Sequence, residues 1–356
     1  MNTTINQDIK RKVLFNPDGE RDALKLTFIG ADTNNLLQLA KTKYPIMRKL
    51  YETQMFQNWL PQRISMVEDK VQYYDVMNNY ERRFLDKLLS FLIFLDSIQT
   101  NHLATMLQYV TEPVLTACLA EQARFEALHS YSYTYMLESI VTPSELDDII
   151  YQWKDDEIML TRNKFIAEQY EEFYSNPTKD GFLKLLFSNY LLESIYFYSG
   201  FVGVHLLGRK GIMLGVDEII TLIQKDELLH ISIFQQLIKI FKDENPDVYE
   251  KNKHIFVPMM KTAVEQEIAF GQHITDNQIL GTNNKKIEQY IKWLSNKRMS
   301  TLSAVVGDSD IIPLYPDITE NPMKWTEKYD ENGFANNNFF ENNVTDYEQG
   351  DSLSWD

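Results

Sequence analysis

Two of the six histidines in this 356-residue chain stand three positions after a glutamate within helical sequence: Glu126-Ala-Leu-His129 and Glu227-Leu-Leu-His230. A three-residue step keeps both side chains on one face of a helix, so each pair can offer a carboxylate oxygen and an imidazole nitrogen to one point. Upstream of each pair lies another acid inside an apolar helical run, Asp96 in FLIFLDSIQ and Glu193 in NYLLESIYFYSGF. The intervals, from 96 to 126 and from 193 to 227, are 30 and 34 residues. Each is one helix back, so the sequence contains two copies of a lone carboxylate followed by Glu-x-x-His.

The energetics of burial say what such a set is for. An ionised carboxylate buried without a partner is penalised by several kcal/mol or takes up a proton. Four in one core need positive charge, and two divalent cations balance Asp96, Glu126, Glu193 and Glu227. His129 and His230 then supply one neutral nitrogen to each ion. Oxygen donors with one imidazole per ion suit iron or manganese, and the lack of thiolate ligands argues against structural zinc. A single Glu-x-x-His is a weak signal, because a lone histidine is more often a core or surface residue. Two, each preceded by an acid in an apolar helix, form the pattern of bundles that hold two iron or manganese ions in a carboxylate core. Asp226, four residues before His230, reads as a partner that orients an imidazole rather than as a ligand.

The segment ARFEALHSYSYTYM carries Tyr131, Tyr133 and Tyr135 beyond His129. Only Tyr133 lies four residues beyond that histidine and seven beyond Glu126, so it shares the metal-facing stripe while Tyr131 points away. A buried tyrosine on an apolar helix is ordinarily packing. Beside an oxygen-activating dimetal site it can instead be oxidised to a stable radical, provided apolar walls such as Phe197, Phe201 and Ile223 shield it. Spacing alone leaves both readings open.

Positioning these groups takes long helices, and the composition supplies them. Gly 13 and Pro 11 in 356 residues make about 7%, against an average near 12%, with 44% hydrophobic residues. The fold class expected is all-α, with residues 1–32 irregular, a helical dimetal domain over 33–300, and an irregular region over 301–356 ending in a flexible tail. Asp32 and Thr33 offer N-caps for a helical pattern that Pro45 interrupts and that runs on to Trp59. Further helices are predicted near 67–77, 80–107, 111–140, 143–174, 179–207, 215–243, 247–276 and 284–299, the third and fourth opening on Thr111-Glu112-Pro113 and Thr142-Pro143.

Other features exclude whole classes of function. The formal charge of −16 repels phosphate backbones and anionic membrane faces, so neither nucleic acid nor a membrane is an expected partner. No apolar stretch follows the basic N-terminal residues as a secretory signal would, and the longest apolar run, around Leu88 to Leu95, is too short to span a bilayer. P-loop, GxGxxG, GxSxG and HExxH motifs are absent. A single cysteine, Cys118, leaves no internal disulfide framework and fits a reducing cytoplasm.

In order and spacing, FLDSIQ, FEALHSYSY, LLESIYFYSGF and KDELLH resemble the class I ribonucleotide reductase small subunit over nearly the whole chain. The resemblance implies a ferritin-like bundle with a dinuclear iron, dimanganese or mixed centre on Asp96, Glu126, His129, Glu193, Glu227 and His230. It implies that Tyr133 matches the radical tyrosine, with Phe197, Phe201 and Ile223 as its pocket. Trp59, in MFQNWLPQ, would match the tryptophan coupled through Asp226 and His129 to the metals. The C-terminal tail would dock into the large catalytic subunit, with Tyr347 in FFENNVTDYEQG as the tail tyrosine that relays the radical. Asp96 and Tyr133 are both as in tyrosyl-radical members. A homodimer is likewise implied, and ribonucleotide reduction would take place in the partner subunit. Two rival readings remain at this level: a dimetal oxidase acting alone on a small or fatty substrate, and a non-enzymatic helical scaffold.

Overall fold

The computed structural model describes residues 8–331. Residues 33–44 are not helical. Thr33 Oγ1 accepts the amide of Asn35, which sits at φ +63°, and Asn34 Oδ1 accepts that of Leu36, so local side-chain turns take the place of the helix that Asp32 and Thr33 were expected to cap. Pro45 interrupts nothing. It is the first residue of α1 (Pro45–Phe56), where its fixed φ and missing N–H are suited.

Helix α2 (Val67–Asp75) leads to α3 (Asn79–Met106), which opens on a capping box between Asn78 and Glu81. Helix α4 (Pro113–Ile140) is capped by Glu112, whose carboxylate accepts the Leu115 amide at 2.8 Å, while the Thr111 hydroxyl donates to Thr27 O. The helix expected over 143–174 divides into α5 (Pro143–Ile150) and α6 (Glu157–Ser175). Between them Trp153 stacks on Phe94 at 3.7 Å and donates its amide to Ser90 Oγ, and Asp156 then caps α6 through the amides of Ile158 and Met159.

The helix expected over 179–207 also divides, into α7 (Lys179–Ile195) and α8 (Tyr198–Arg209). After α9 (Leu214–Glu244) and α10 (Pro246–Asn252) comes a third unforeseen break, at the 3-10 turn Lys253–Ile255. The helix restarts as α11 (Phe256–Thr275), which leaves Pro258 in the first turn, where no N–H donor is needed. Helix α12 (Asn284–Val306) runs past the expected end at 299 and stops at Gly307, whose φ of +66° suits glycine. A short helix, α13 (Glu327–Glu331), follows, and Tyr329 stacks on His205 with ring centroids 3.6 Å apart. Among the described residues β-structure is confined to three isolated bridges.

The core forms where α3 packs along α4 and α7 along α9, with α4 also meeting α9. Every residue from Leu185 to Ile195 of α7 is buried, as a helix apolar on all sides must be. By composition residues 179–209 are apolar and long enough to cross a membrane, but 94% of that window is buried inside the fold. Gly203 lets α8 lie close on α3, since a Cβ there would run into the Phe84 ring. Cys118, on α4, is buried beneath Gln54 of α1, whose amide donates to Cys118 O at 3.1 Å and Sγ at 3.3 Å, and burial pushes the thiol up to about 12.

Candidate metal centre

Helix α3 carries Asp96, α4 carries Glu126 and His129, α7 carries Glu193, and α9 carries Glu227 and His230; all six are fully buried. Their donor atoms fall into two groups. Asp96, Glu126, His129 and Glu227 converge in one, and Glu126, Glu193, Glu227 and His230 in the other, with the ligand atoms of each group within 4.8 Å of one another. Glu126 and Glu227 belong to both. His129 Nδ1 lies 3.1 Å from Glu227 Oε1 and 3.7 Å from Glu126 Oε2, whereas His230 Nδ1 lies 2.9 Å from Glu227 Oε2 and 3.2 Å from Glu126 Oε1. Each shared glutamate therefore turns one oxygen to each histidine.

The donor set has the chemistry of a two-ion site. Both Asp96 oxygens, Glu126 Oε2, Glu193 Oε2, Glu227 Oε1 and His129 Nδ1 are buried and make no hydrogen bond, a costly state for polar atoms unless a ligand satisfies them. Burial, with Glu126 and Glu227 nearby, holds the Asp96 and Glu193 carboxyls well above the usual carboxylate range. Burial also opposes ionisation of Glu126 and Glu227, but the imidazoles outweigh it and hold both below that range. His129 and His230 are raised in turn, the facing carboxylates overcoming the burial that disfavours their charge. Without metal, then, the cluster favours protons on Asp96, Glu193 and the two histidines, which offset its negative charge. Two divalent cations can take the place of those protons.

Around the six lies a set of orienting groups. His129 Nε2 faces Asp226 Oδ2 at 3.2 Å, and the same oxygen accepts Trp59 Nε1–H at 2.7 Å, with the indole and imidazole rings 6.3 Å apart and nearly parallel. Asp226 thus orients His129, on a different helix, rather than His230 one turn along its own. Tyr133 is fully buried, and its hydroxyl makes no hydrogen bond; burial and then Asp96 push its pKa well up. Tyr131 is exposed and meets Gln62, as the stripe analysis expects. Phe197, Phe201 and Ile223 are buried in the same core, the two phenyl rings stacked 5.7 Å apart. Tyr347 lies outside the described residues.

Sequence reasoning missed two glutamines. Gln99 and Gln122 both donate Nε2–H to Glu193 Oε1, at 2.7 and 3.0 Å, leaving Oε2 for a ligand, and the Tyr170 hydroxyl donates to Gln99 Oε1, which fixes the amide's orientation. Their signal was available: Gln99 is three residues after Asp96 and Gln122 four before Glu126, on the same stripes.

A sequence model described as "Ribonucleotide reductase, small chain" matches residues 36–305. The chain belongs to the ribonucleotide reductase small-chain family. The ribonucleoside-diphosphate reductase subunit beta of Treponema pallidum (strain Nichols) is 39% identical over 348 residues, which cover 97% of each chain. The ribonucleotide reductase R2 subunit from Clostridium botulinum superposes with a TM-score of 0.85 at 38% identity, over 91% of this chain and 99% of that one. A dimanganese(II)-NrdF from Streptococcus sanguinis, at 22% identity and a TM-score of 0.67, covering 81% of this chain and 98% of that one, shares the fold. As a ribonucleotide reductase small subunit, the chain works with a large subunit and generates the radical for ribonucleotide reduction. The family has a dimetal site, and the buried carboxylate and histidine cluster fits two metal ions.

Proposed function

We propose that Asp96, Glu126, His129 and Glu227 hold one ion, that Glu126, Glu193, Glu227 and His230 hold the other, and that Tyr133 stores the radical. The observation that carries this is the sharing of Glu126 and Glu227 between two four-donor groups. The bound metals, iron, manganese or one of each, supply the oxidising power drawn from oxygen or a reduced oxygen species. Tyr133 gives up one electron and its phenolic proton, and Asp96 is the carboxylate placed to influence that proton. The neighbouring apolar core, including Phe197, Phe201 and Ile223, keeps water from the radical.

The radical then leaves through His129, Asp226 and Trp59. Oxidation of the Trp59 indole releases the Nε1 proton along the 2.7 Å hydrogen bond to Asp226 Oδ2, and the proton returns when the indole is reduced. Tyr347 continues the relay in the tail, which docks on the large subunit, where ribonucleoside diphosphates are reduced. Val67, Val71 and Tyr74 form an exposed apolar stripe at helical spacing on α2, a surface suited to the second copy in a homodimer. The free thiol of Cys118 accords with a cytoplasmic location.

The test is electron paramagnetic resonance with metal analysis on protein reconstituted separately with iron and manganese, then on Tyr133→Phe. The reading expects two ions per chain and a tyrosyl signal that the substitution abolishes; an unchanged signal in Tyr133→Phe overturns the radical assignment. Deleting residues 336–356 is expected to leave the radical intact and abolish turnover with the large subunit.

A further inference from the structure

The break between α7 and α8 falls at Tyr196–Phe197, three residues after Glu193, in the stretch Ser194-Ile-Tyr-Phe-Tyr-Ser199, which contains neither proline nor glycine. A break frees backbone groups that must find other partners. Three of them find buried charged side chains from distant helices. Arg162 Nη2, from α6, donates to Tyr196 O at 2.9 Å; Glu267 Oε1, from α11, accepts the Ser199 amide at 2.8 Å; and Arg298 Nε, from α12, donates to Ser194 O at 3.3 Å. Arg162 and Glu267 also pair with each other, and Glu267 takes the Ser199 hydroxyl.

This ion pair is an expensive device. Arg162 is 1% exposed and Glu267 not at all, and Arg162 Nε and Nη1 have no hydrogen-bond partner. The guanidinium packs against both the Phe91 and Phe270 rings, 4.3 and 4.0 Å from their centroids, which are themselves 4.5 Å apart. A buried ion pair can often be replaced by apolar residues of similar volume without loss of stability, so stability alone does not account for it. What the pair does satisfy is the conformation. Without it, the Ser199 amide and Tyr196 carbonyl would find partners most cheaply by continuing the i to i+4 ladder, giving one helix through 179–209. Each residue of register change turns everything that follows by about 100°, so closing the break would rotate Glu193 relative to Phe197 and Phe201.

We propose that Arg162 and Glu267, assisted by Arg298, are positioning residues that hold the chain broken at Tyr196–Phe197 and so set how Glu193 meets the metal centre. This rests on Glu193 being a metal ligand. The pair touches no ligand itself; it acts through the Ser194–Ser199 backbone. Phe91, against which the guanidinium packs, is on the same helix as Asp96, five residues before it, so the lock touches both helices that carry a lone acid.

The test is the full-length double variant Arg162→Met/Glu267→Met, compared with the wild type in metal-free thermal unfolding, in Mn(II) titration and in the Mn(II) resonance spectrum. The expected result is cooperative unfolding with a midpoint close to the wild type, an affinity for one of the two ions lowered about 10- to 100-fold, and a changed spectrum. Native spectrum and native affinities in a folded double variant would overturn the proposal. Should that variant not fold, Arg162→Lys decides: it keeps the charge facing Glu267, but its side chain is one bond shorter, so its nitrogen falls short of the Nη2 position that meets both Glu267 and Tyr196 O; a smaller loss in the same direction is expected and wild-type behaviour overturns the lock. The wild type separates the two claims. Failure to bind two ions there counts against the metal centre itself, whereas a variant indistinguishable from a two-ion wild type counts against the lock alone.

Discussion

Asp96 belongs to one donor group and Glu227 to both, so Asp96→Ala and Glu227→Ala must differ in how many ions they release. Removing Asp96 leaves the Glu126, Glu193, Glu227 and His230 group complete, and one ion per chain is expected to remain. Removing Glu227 takes a ligand from each group and is expected to empty both. With free metal at about 100 times the dissociation constant, each filled site stabilises the fold by about 2.7 kcal/mol, hence about 5 kcal/mol for two. For a large domain one kcal/mol moves the midpoint by roughly 2 °C. Metal is thus expected to raise the wild-type midpoint by about 10 °C, that of Asp96→Ala by about 5 °C, and that of Glu227→Ala hardly at all. Elemental analysis after desalting, alongside calorimetry with and without metal, reads both quantities. Equal metal content in the two variants would refute the shared-ligand geometry.

Three more tests follow from the same arrangement. Because Asp96, Glu193, His129 and His230 are held protonated without metal, loading two divalent ions at neutral pH should release up to about four protons per chain, and affinity should rise with pH; titration in dilute indicator buffer measures the release, and none at all would contradict the proton-filled cluster. Asp226→Ala strips Trp59 Nε1 and His129 Nε2 of their acceptor, so metal affinity should fall about 10- to 100-fold and turnover with the large subunit should be lost even in protein that carries a tyrosyl signal. Asp86, half-buried and accepting from Tyr73 at 2.9 Å, is pushed up to about 6 chiefly by burial. A raised carboxyl contributes stability that is full below its ordinary value near 4 and is lost as pH rises through 6. Asp86→Asn should therefore remove about 2 kcal/mol of wild-type destabilisation between pH 4 and 7, seen as a flatter pH profile in urea unfolding.

The six donors were legible because helical spacing is a local rule: Glu126 with His129 and Glu227 with His230 share a face wherever the chain is helical, and their acids lie in runs too apolar to face water. The interruptions were unequally legible. Asp156 is an N-cap residue type standing before α6, and Pro258 marks a helix start, so two of the three breaks carried local signals. The break at Tyr196–Phe197 carried none, because the groups that stabilise it come from residues 162, 267 and 298. The segment over 33–44 misled for the opposite reason. Thr33 and Asn34 cap turns as readily as helices, and spacing does not distinguish the two. That Asp226 meets His129 was implied by the family resemblance but not by spacing, since the two lie on different helices.

Cys118 shares a helix with Glu126 and His129 and has a thiol pushed up to about 12. At neutral pH only about one molecule in 10⁵ carries the nucleophilic thiolate that attacks peroxides. The lone cysteine, eight residues before Glu126 in the sequence, is thus kept chemically inert, and exposure to oxidants need not age the protein at that position.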